Sequence, residues 1–211
     1  MWSLSALVLC LFVTSFSGCE AFFNLNSVKK SFTATDCGQR LGQNAAIRFN
    51  QVSVTPEPIT LPGTIRIAVN IDIVRNISQT LSADITVKRR LNLGWFGYSW
   101  FDVTPPCIPS AGQGCRTDLC DVINSVVQTE GCPAEVIDNG FTCACPPITG
   151  SYVTRSNLPL VVQIRESDLP LQLVRDLIQG TYKVTTEVYD GSGSKVGCLE
   201  TIFGLLHNQT P

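Results

Sequence analysis

The chain has 211 residues, of which 44% are hydrophobic and 15% are charged, and its formal net charge is −2. A length of about 200 residues is ordinary for one all-β domain, and the charged fraction lies well below the usual quarter. The acidic balance excludes the positive footprint of a nucleic-acid-binding protein, and the one basic run, Lys88-Arg89-Arg90, is typical of a solvated strand end.

The first 21 residues have the layout of a secretory signal peptide. The apolar run Leu4–Val13 is followed by small residues and is too short to cross a bilayer. Cleavage is expected after Cys19 or after Ala21. A bacterial lipoprotein leader that acylates Cys19 is the alternative, disfavoured because it leaves an odd number of cysteines. Residues 22–211 are expected to form a single domain.

Alternating apolar and polar residues predict strands through most of the chain. The clearest segment is Thr64–Val74, in which every second residue from Ile65 to Ile73 is apolar. The sequence DGSG, Asp190–Gly193, predicts the turn of a hairpin between the last two strands. This pattern favours an all-β fold, an immunoglobulin-like antiparallel β-sandwich or β-cup. The other predicted strands are residues 45–54, 82–90, 94–103, 151–158, 159–166, 180–190 and 195–206.

Aromatic residues crowd into the segment Gly94–Phe101. If this segment is one strand, Phe96, Tyr98 and Trp100 share one face, and one side of the strand is simply buried. Alternatively, some of the rings lie at the mouth of a cavity, because amphipathic rings favour a membrane interface.

Two segments have helical features. Thr117 or Asp118 can cap a helix whose apolar residues follow at helical spacing as far as Val126. The segment Leu169–Gly180 is a helix or a loop with many apolar residues. It serves either as a core helix or as a lid over a cavity.

The cysteines predict disulfides. Ten are present, and the leader removes Cys10 and Cys19, which leaves eight. An even number in a secreted chain indicates four disulfides, although eight cysteines allow on the order of a hundred pairings. Cys37 and Cys198 lie in or beside predicted strands at opposite ends of the domain. Joining them would close a loop of roughly 160 residues and stabilise the fold by about 5 kcal/mol.

Metal binding and catalysis find little support in the residues. The cysteine spacings do not form the repeated pairs of a zinc site, and the single histidine, His207, lies near a tail that is expected to fray. No catalytic residue, metal or cofactor is therefore expected. Asn76 and Asn208 begin N-glycosylation sequons, which, with the leader and the cysteines, indicate the secretory pathway.

The cysteine region from Cys107 to Cys145, with the motifs PEPITLPG (Pro56–Gly63) and Gly197-Cys198, resembles the GM2 ganglioside activator family. These are lysosomal sphingolipid activators with the MD-2-related lipid-recognition (ML) architecture. The resemblance spans about residues 31–205. It implies a β-cup with an apolar lipid cavity and four disulfides, which are Cys37 to Cys198, Cys107 to Cys115, Cys120 to Cys145 and Cys132 to Cys143.

The resemblance also implies a function. Such proteins lift a glycosphingolipid or phospholipid from a membrane and present it to a glycosidase such as β-hexosaminidase, in the lysosome or outside the cell. The alternatives are an extracellular interaction module with the same fold and a lipid-ester hydrolase. Holding two sheets apart sacrifices packing, so the local knot of cysteines between Cys107 and Cys145 is expected to brace the rim of the cavity. The residues expected to contact lipid or a membrane surface transiently are Trp95, Phe96, Tyr98, Trp100, Leu171, Leu173, Val174, Leu177 and Ile178.

Overall fold

A computed structural model describes residues 28–77, 80–103, 116–166 and 179–207, without the side chains of residues 43, 44 and 94. The α-helices in these ranges are α1 (Leu119–Glu130) and α2 (Ala134–Asp138), and 3-10 turns cover Cys37–Asn44 and Gly94–Phe96. The strands are β1 (Thr33–Asp36), β2 (Ile47–Thr55), β3 (Ile59–Leu61), β4 (Gly63–Ile73), β5 (Leu81–Asn92), β6 (Tyr98–Val103), β7 (Arg116–Asp118), β8 (Gly150–Val153), β9 (Leu160–Ile164), β10 (Gly180–Asp190) and β11 (Lys195–His207).

Local sequence explains where several elements begin and end. Helix α1 follows Asp118, whose Oδ1 accepts hydrogen bonds from the backbone N–H groups of Cys120 (2.8 Å) and Asp121 (3.0 Å), which satisfies the free donors of the first turn. Gly131, with φ of 78°, ends the helix. At the β10–β11 turn, Asp190 Oδ1 accepts from the backbone N–H groups of Ser192 and Ser194. The predicted hairpin and the predicted cap are thus confirmed.

The strands form two antiparallel sheets, so the predicted all-β sandwich is confirmed. The larger sheet has the order β1-β11-β10-β5-β6, with β3 added parallel to β11 and β7 added to β5. The smaller sheet pairs β2 with β4, and the other edge of β4 pairs with β8 and with β9. The short strands β1, β3 and β7 were not predicted, and strand β8 ends at Val153 rather than at residue 158.

The two sheets are linked directly along one side. Asp36, at the end of β1, accepts a hydrogen bond from the backbone N–H of Phe49 in β2 (3.1 Å). The backbone N–H of Ala46 donates to the carbonyl of Val196 in β11 (2.8 Å). These bonds hold β2 close to β1 and β11, and they leave β5 and β6 on the far side of the larger sheet.

Buried residues form two separate clusters between the sheets. The second cluster comprises Val54, Ile59, Leu61 and Ile65 and lies near the end of β11. The first cluster lies at the end of the sandwich where β5 begins and β10 ends, and this end is called the closed end below. Its members are Ala46, Ile47, Ile73, Ile77, Leu81, Cys120, Val188 and Val196.

The disulfides in the described residues are Cys37–Cys198, Cys120–Cys145 and Cys132–Cys143. They are three of the four pairs that the resemblance implies, and the fourth pair lies outside the described residues. Cys120 belongs to the first cluster, and Cys198 lies two residues from Val196 of that cluster. The Cys37–Cys198 and Cys120–Cys145 bridges therefore brace the closed end. The expectation that the local cysteine knot braces the rim does not hold for Cys120–Cys145, because β7, which leads into α1, pairs with the first residues of β5, Ser82–Asp84.

Candidate functional site

The core of the sandwich is interrupted between the two clusters. Along β4, Ile71 and Ile73 pack in or against the first cluster, whereas Ile65 and Ile67 pack in or against the second. Val69, which lies between them on the same face, belongs to neither cluster. The apolar face predicted for this strand therefore reaches both ends of the sandwich, but its middle is not covered by a continuous core.

The inner face of β5 shows where the space lies. Leu81 and Ala83 are buried and Leu81 belongs to the first cluster, so the odd-numbered residues of β5 face the smaller sheet. Ile85 follows in the same phase, yet 38% of its surface is exposed. An inward-facing residue in the middle of a strand is exposed to this degree only where the opposite sheet does not cover it.

Two further inward-facing residues are exposed on the same side of the sandwich. Phe101 pairs with Arg89 of β5 and is 43% exposed. Val162 of β9 pairs with Ile65, which is buried in the second cluster, and is 44% exposed. Directly opposite residues of an antiparallel pair share one face, so both side chains point between the sheets. The space bordered by Ile85, Phe101 and Val162 is called the cleft below, and these three borders are apolar.

An aromatic row crosses the inner face of the larger sheet beside the cleft. The rings of Tyr182 and Phe203 stack with centroids 6.3 Å apart, and Phe32 stacks on Phe203 at 6.4 Å. Tyr182 pairs with Arg89, which in turn pairs with Phe101. Burial raises the pKa of Tyr182, although the positive charge of Arg89 acts in the opposite direction. The row therefore contains one cation among aromatic side chains.

The turn between β5 and β6 carries the two most exposed large apolar side chains of the described residues. Trp95 is 99% exposed and Phe96 is 85% exposed. The turn is closed by hydrogen bonds from the Leu93 N–H to the Gly97 carbonyl (2.7 Å) and from the Phe96 N–H to the Leu93 carbonyl (3.3 Å). Gly97 has φ of 78°, a conformation that favours glycine. This turn lies at the end of the larger sheet opposite the closed end, which is called the open end below.

The aromatic residues of this segment do not share one surface. Tyr98 and Trp100 lie on the outer face of the larger sheet, where Arg90 lies over the Tyr98 ring (4.5 Å) and Lys183 over the Trp100 ring (5.5 Å). The interpretation as a single strand with Phe96, Tyr98 and Trp100 on one face is wrong, because Gly94–Phe96 is a turn. The cleft itself is bordered by Phe101.

Sequence reasoning missed Arg89, Ile85 and Val162. The run Lys88-Arg89-Arg90 was interpreted as a solvated strand end, but Arg89 is partly buried on the inner face. The signal was present, since Arg89 continues the apolar alternation of Leu81, Ala83 and Ile85. The membrane-contact predictions for Leu171, Leu173, Val174, Leu177 and Ile178 lie outside the described residues.

His207 is not in a frayed tail, contrary to expectation. It ends β11, where it pairs with Leu61, and its side chain is largely buried. Its Nε2 lies 3.9 Å from Glu166 Oε2.

Among the described residues, no group of three or more histidine, cysteine or acidic side chains is placed to hold a metal ion. Within the same residues, no helix has the length and apolar character needed to cross a bilayer.

The two predicted glycosylation sites are Asn76 and Asn208. Asn76 is exposed and follows β4 at the closed end, so a glycan there would lie far from the turn that carries Trp95. Asn208 lies outside the described residues. Glycosylation of both remains a prediction.

Comparison with known proteins gives one family and several solved structures. A family model described as an ML domain (E1_DerP2_DerF2) matches residues 31–204. The chain is similar to a Niemann-Pick type C2 protein from Japanese carpenter ant, with 11% identity and a TM-score of 0.37, over 82% of this chain and 98% of that chain. It is also similar to chicken MD-1 complexed with lipid IVa, with 11% identity and a TM-score of 0.35, over 82% and 88% of the two chains. No curated protein sequence matches the chain.

Proposed function

Because the chain belongs to the ML domain family, we propose that it is a non-catalytic lipid-binding protein that takes hydrocarbon tails into the cleft. The observation that carries this proposal is the exposure of inward-facing apolar side chains, Ile85, Phe101 and Val162, on both sheets of one sandwich. Sandwich cores are normally close-packed. Apolar surface left uncovered between two sheets is therefore a surface for an apolar ligand.

The energetics of lipid transfer require such a cleft. Moving one methylene group into water costs about 0.8 kcal/mol, so a two-chain lipid meets a barrier on the order of 20 kcal/mol when it leaves a membrane unaided. A carrier lowers this barrier only if it covers the tails as they leave. Trp95 and Phe96 at the open end are suited to docking on the membrane, because their rings are almost fully exposed and aromatic rings favour the bilayer interface.

The finer proposal is a sphingolipid activator of the secretory pathway, in the lysosome or outside the cell. It lifts a glycosphingolipid from the membrane and presents its sugar to a β-hexosaminidase-like glycosidase. The order of the cysteines and the motif PEPITLPG support this proposal through their resemblance to the GM2 ganglioside activator family. The five apolar residues from Leu171 to Ile178 are proposed as a second membrane contact.

The test of lipid binding uses two neighbouring residues of β9 that differ in direction. Val162 points into the cleft and is 44% exposed, whereas Val161 pairs with Arg66 on the outer face and is 46% exposed. We expect Val162→Trp to fill the cleft and to reduce the transfer of fluorescent phospholipid and glycolipid between vesicles. Val161→Trp adds the same volume to the outer surface and is expected to transfer lipid like the unmodified protein.

Mass spectrometry of lipid that co-purifies with the unmodified protein provides an independent measurement. Equal transfer by the two variants, together with no co-purifying lipid, would reject the cleft as the binding site and favour the interaction module. Adding β-hexosaminidase and its glycolipid substrate tests the finer proposal. Lipid transfer without stimulated hydrolysis would support the lipid-carrier proposal and reject the activator proposal.

A further inference from the structure

The cleft contains a cation at its edge. We infer that Arg89 binds the anionic head group of the lipid, so that the preferred ligand is an amphiphile with a carboxylate or phosphate directly attached to its tail. This inference rests on the proposed lipid-binding function and narrows its ligand class, and it competes with the finer proposal of a glycosphingolipid, in which a sugar is attached to the tails.

The strand phase places the Arg89 side chain on the cleft side of the sheet. Arg89 is in phase with the buried residues Leu81 and Ala83 of β5, and it pairs with Tyr182 on one side and Phe101 on the other. A Cβ atom on Gly180 would lie 3.0 Å from Arg89 Nε. The absence of a side chain at Gly180 therefore makes the space that the guanidinium group occupies.

Among the described residues, the charge of Arg89 has no acidic partner. Its Nη2 donates a hydrogen bond to the carbonyl of Gln179 (2.7 Å), and its Nε is buried without a hydrogen-bond partner. Of the described residues, none places a carboxylate within 4.0 Å of the guanidinium nitrogens. A charge held in apolar surroundings is normally paired, and the described residues supply no anion for Arg89.

Two lysines on the outer face of the same sheet differ in this respect, whereas the outward-facing Arg90, like Arg89, has a buried Nε without a hydrogen-bond partner. Lys88, the neighbour of Arg89, lies 3.2 Å from Asp102. Lys183, which pairs with Lys88 across β10, lies 3.2 Å from Glu200. Among the residues that the structure describes, carboxylates thus accompany these two outward-facing lysines, whereas the inward-facing Arg89 contacts a backbone carbonyl and no carboxylate.

The position of Arg89 also fits the length of a lipid tail. Four residues separate Arg89 from Ile85, the first inward-facing residue of β5 that is exposed, which corresponds to about 14 Å of strand. The hydrocarbon depth of one membrane leaflet is about 15 Å, half of the bilayer core. A tail from one leaflet therefore fits along β5 with its head group at Arg89. A guanidinium group binds carboxylate and phosphate oxygens through paired, charge-assisted hydrogen bonds.

The experiment compares two fluorescent ligands with the same tail, cis-parinaric acid and the corresponding alcohol, in solution without vesicles. We expect the unmodified protein to bind the acid more tightly. Arg89→Met should weaken binding of the acid by about tenfold to a hundredfold, the usual contribution of hydrogen bonds to a charged group. Binding of the alcohol should stay within about twofold. Arg89→Lys should retain part of the preference, because it keeps the charge and loses the paired geometry.

Arg90→Met is the matched control, because Arg90 is the next residue and points to the outer face. It should leave both affinities unchanged. Hexadecanoate and hexadecyl phosphate, used as competitors against the acid, separate carboxylate from phosphate head groups. Acetate and inorganic phosphate carry the same charges without a tail and should not displace the acid.

Each contrary result has a distinct meaning. Equal affinity of the unmodified protein for acid and alcohol would overturn the inference and leave lipid binding in place, and this comparison needs no variant to fold. An equal loss of affinity for both ligands in Arg89→Met would overturn the inference. Arg89 would then have only a structural role, through its hydrogen bond to the Gln179 carbonyl. Displacement by inorganic phosphate would reassign Arg89 to a free anion. Failure of the unmodified protein to bind either ligand would overturn the proposed function together with the inference.

Discussion

Glu187 and Lys195 form an ion pair on the outer face of the β10–β11 hairpin. Lys195 Nζ donates a hydrogen bond to Glu187 Oε1, and the Tyr189 hydroxyl donates to Glu187 Oε2 (2.9 Å). The bond from Lys195 holds the pKa of Glu187 below its usual 4.5, and the same contact raises the pKa of Lys195 above its usual 10.5. The lowered pKa contributes stability that is present above pH 4.5 and lost as the pH falls through the folded-state value. The raised pKa contributes stability that is lost only as the pH rises above 10.5.

Lys195→Met tests this pair. At pH 7 it should lower the free energy of unfolding by less than about 1 kcal/mol, since both side chains are about one-third exposed and solvent screens the charges. The difference from the unmodified protein should shrink as the pH falls below 4.5. Urea unfolding between about pH 3 and pH 7 measures both effects. Glu187→Gln is the control: adding Lys195→Met to it should produce no pH-dependent change, and a difference that grows on acidification contradicts the assignment.

Single residues varied in how well the sequence predicted them. Asp118 could be assigned as a helix cap because a side-chain acceptor before an apolar helical pattern has one dominant use. The inward position of Arg89 was not predicted, because a run of three basic residues normally lies in solvent. The alternation of Leu81, Ala83 and Ile85 indicated its inward phase, but the space above Gly180 that admits its side chain is visible only in the packed structure.

The β5–β6 turn is the element that we expect to touch the membrane first. Trp95 and Phe96 are too exposed to pack against the core. Changing both to alanine should therefore leave the unfolding curve unchanged. Burying an aromatic side chain contributes about 1.5 to 3 kcal/mol. Trp95→Ala with Phe96→Ala should therefore weaken vesicle binding by about tenfold or more and slow lipid extraction.

Binding to lipid in solution gives the control for the turn. The double variant should bind cis-parinaric acid like the unmodified protein, because the turn lies outside the cleft. If it extracts lipid from vesicles at the original rate, another surface contacts the membrane.

Elements with regular alternation were the most predictable. Period-two patterns fix β4 and β11 because one face of each must be buried. The segment Gly94–Phe101 was predicted as one strand because aromatic residues have high strand propensity, yet the backbone turns at Gly97. The three-residue strands β3 and β7 are too short for alternation to register, and they exist because a neighbouring strand supplies hydrogen bonds.

The longest covalent loop in the described domain is closed by Cys37–Cys198, with a sequence separation of 161. Replacing both cysteines by alanine should destabilise the protein by about 5 kcal/mol, because the unfolded chain gains the freedom of a long loop. The matched variant removes Cys132–Cys143, whose separation is 11, and should cost about 3 kcal/mol. Urea unfolding of both double variants measures the difference, and a larger loss for the shorter loop contradicts the loop-length argument.

The cleft could not be predicted from strand patterns alone. An apolar face is the same in sequence whether it meets another sheet or a ligand, so the faces of β4 and β5 gave no distance between the sheets. Only the resemblance to lipid-recognition proteins raised the expectation of a cavity. The structure adds the observation that Ile85 and Val162 face inward and remain exposed.

The concentration of two bridges at the closed end gives the sandwich a fixed base and leaves its other end without a disulfide among the described residues. Strand β5 extends for 12 residues from that base, or about 40 Å. Among the described residues, the far end of the sandwich is therefore held by strand pairing and by the second buried cluster, without a covalent link between the sheets.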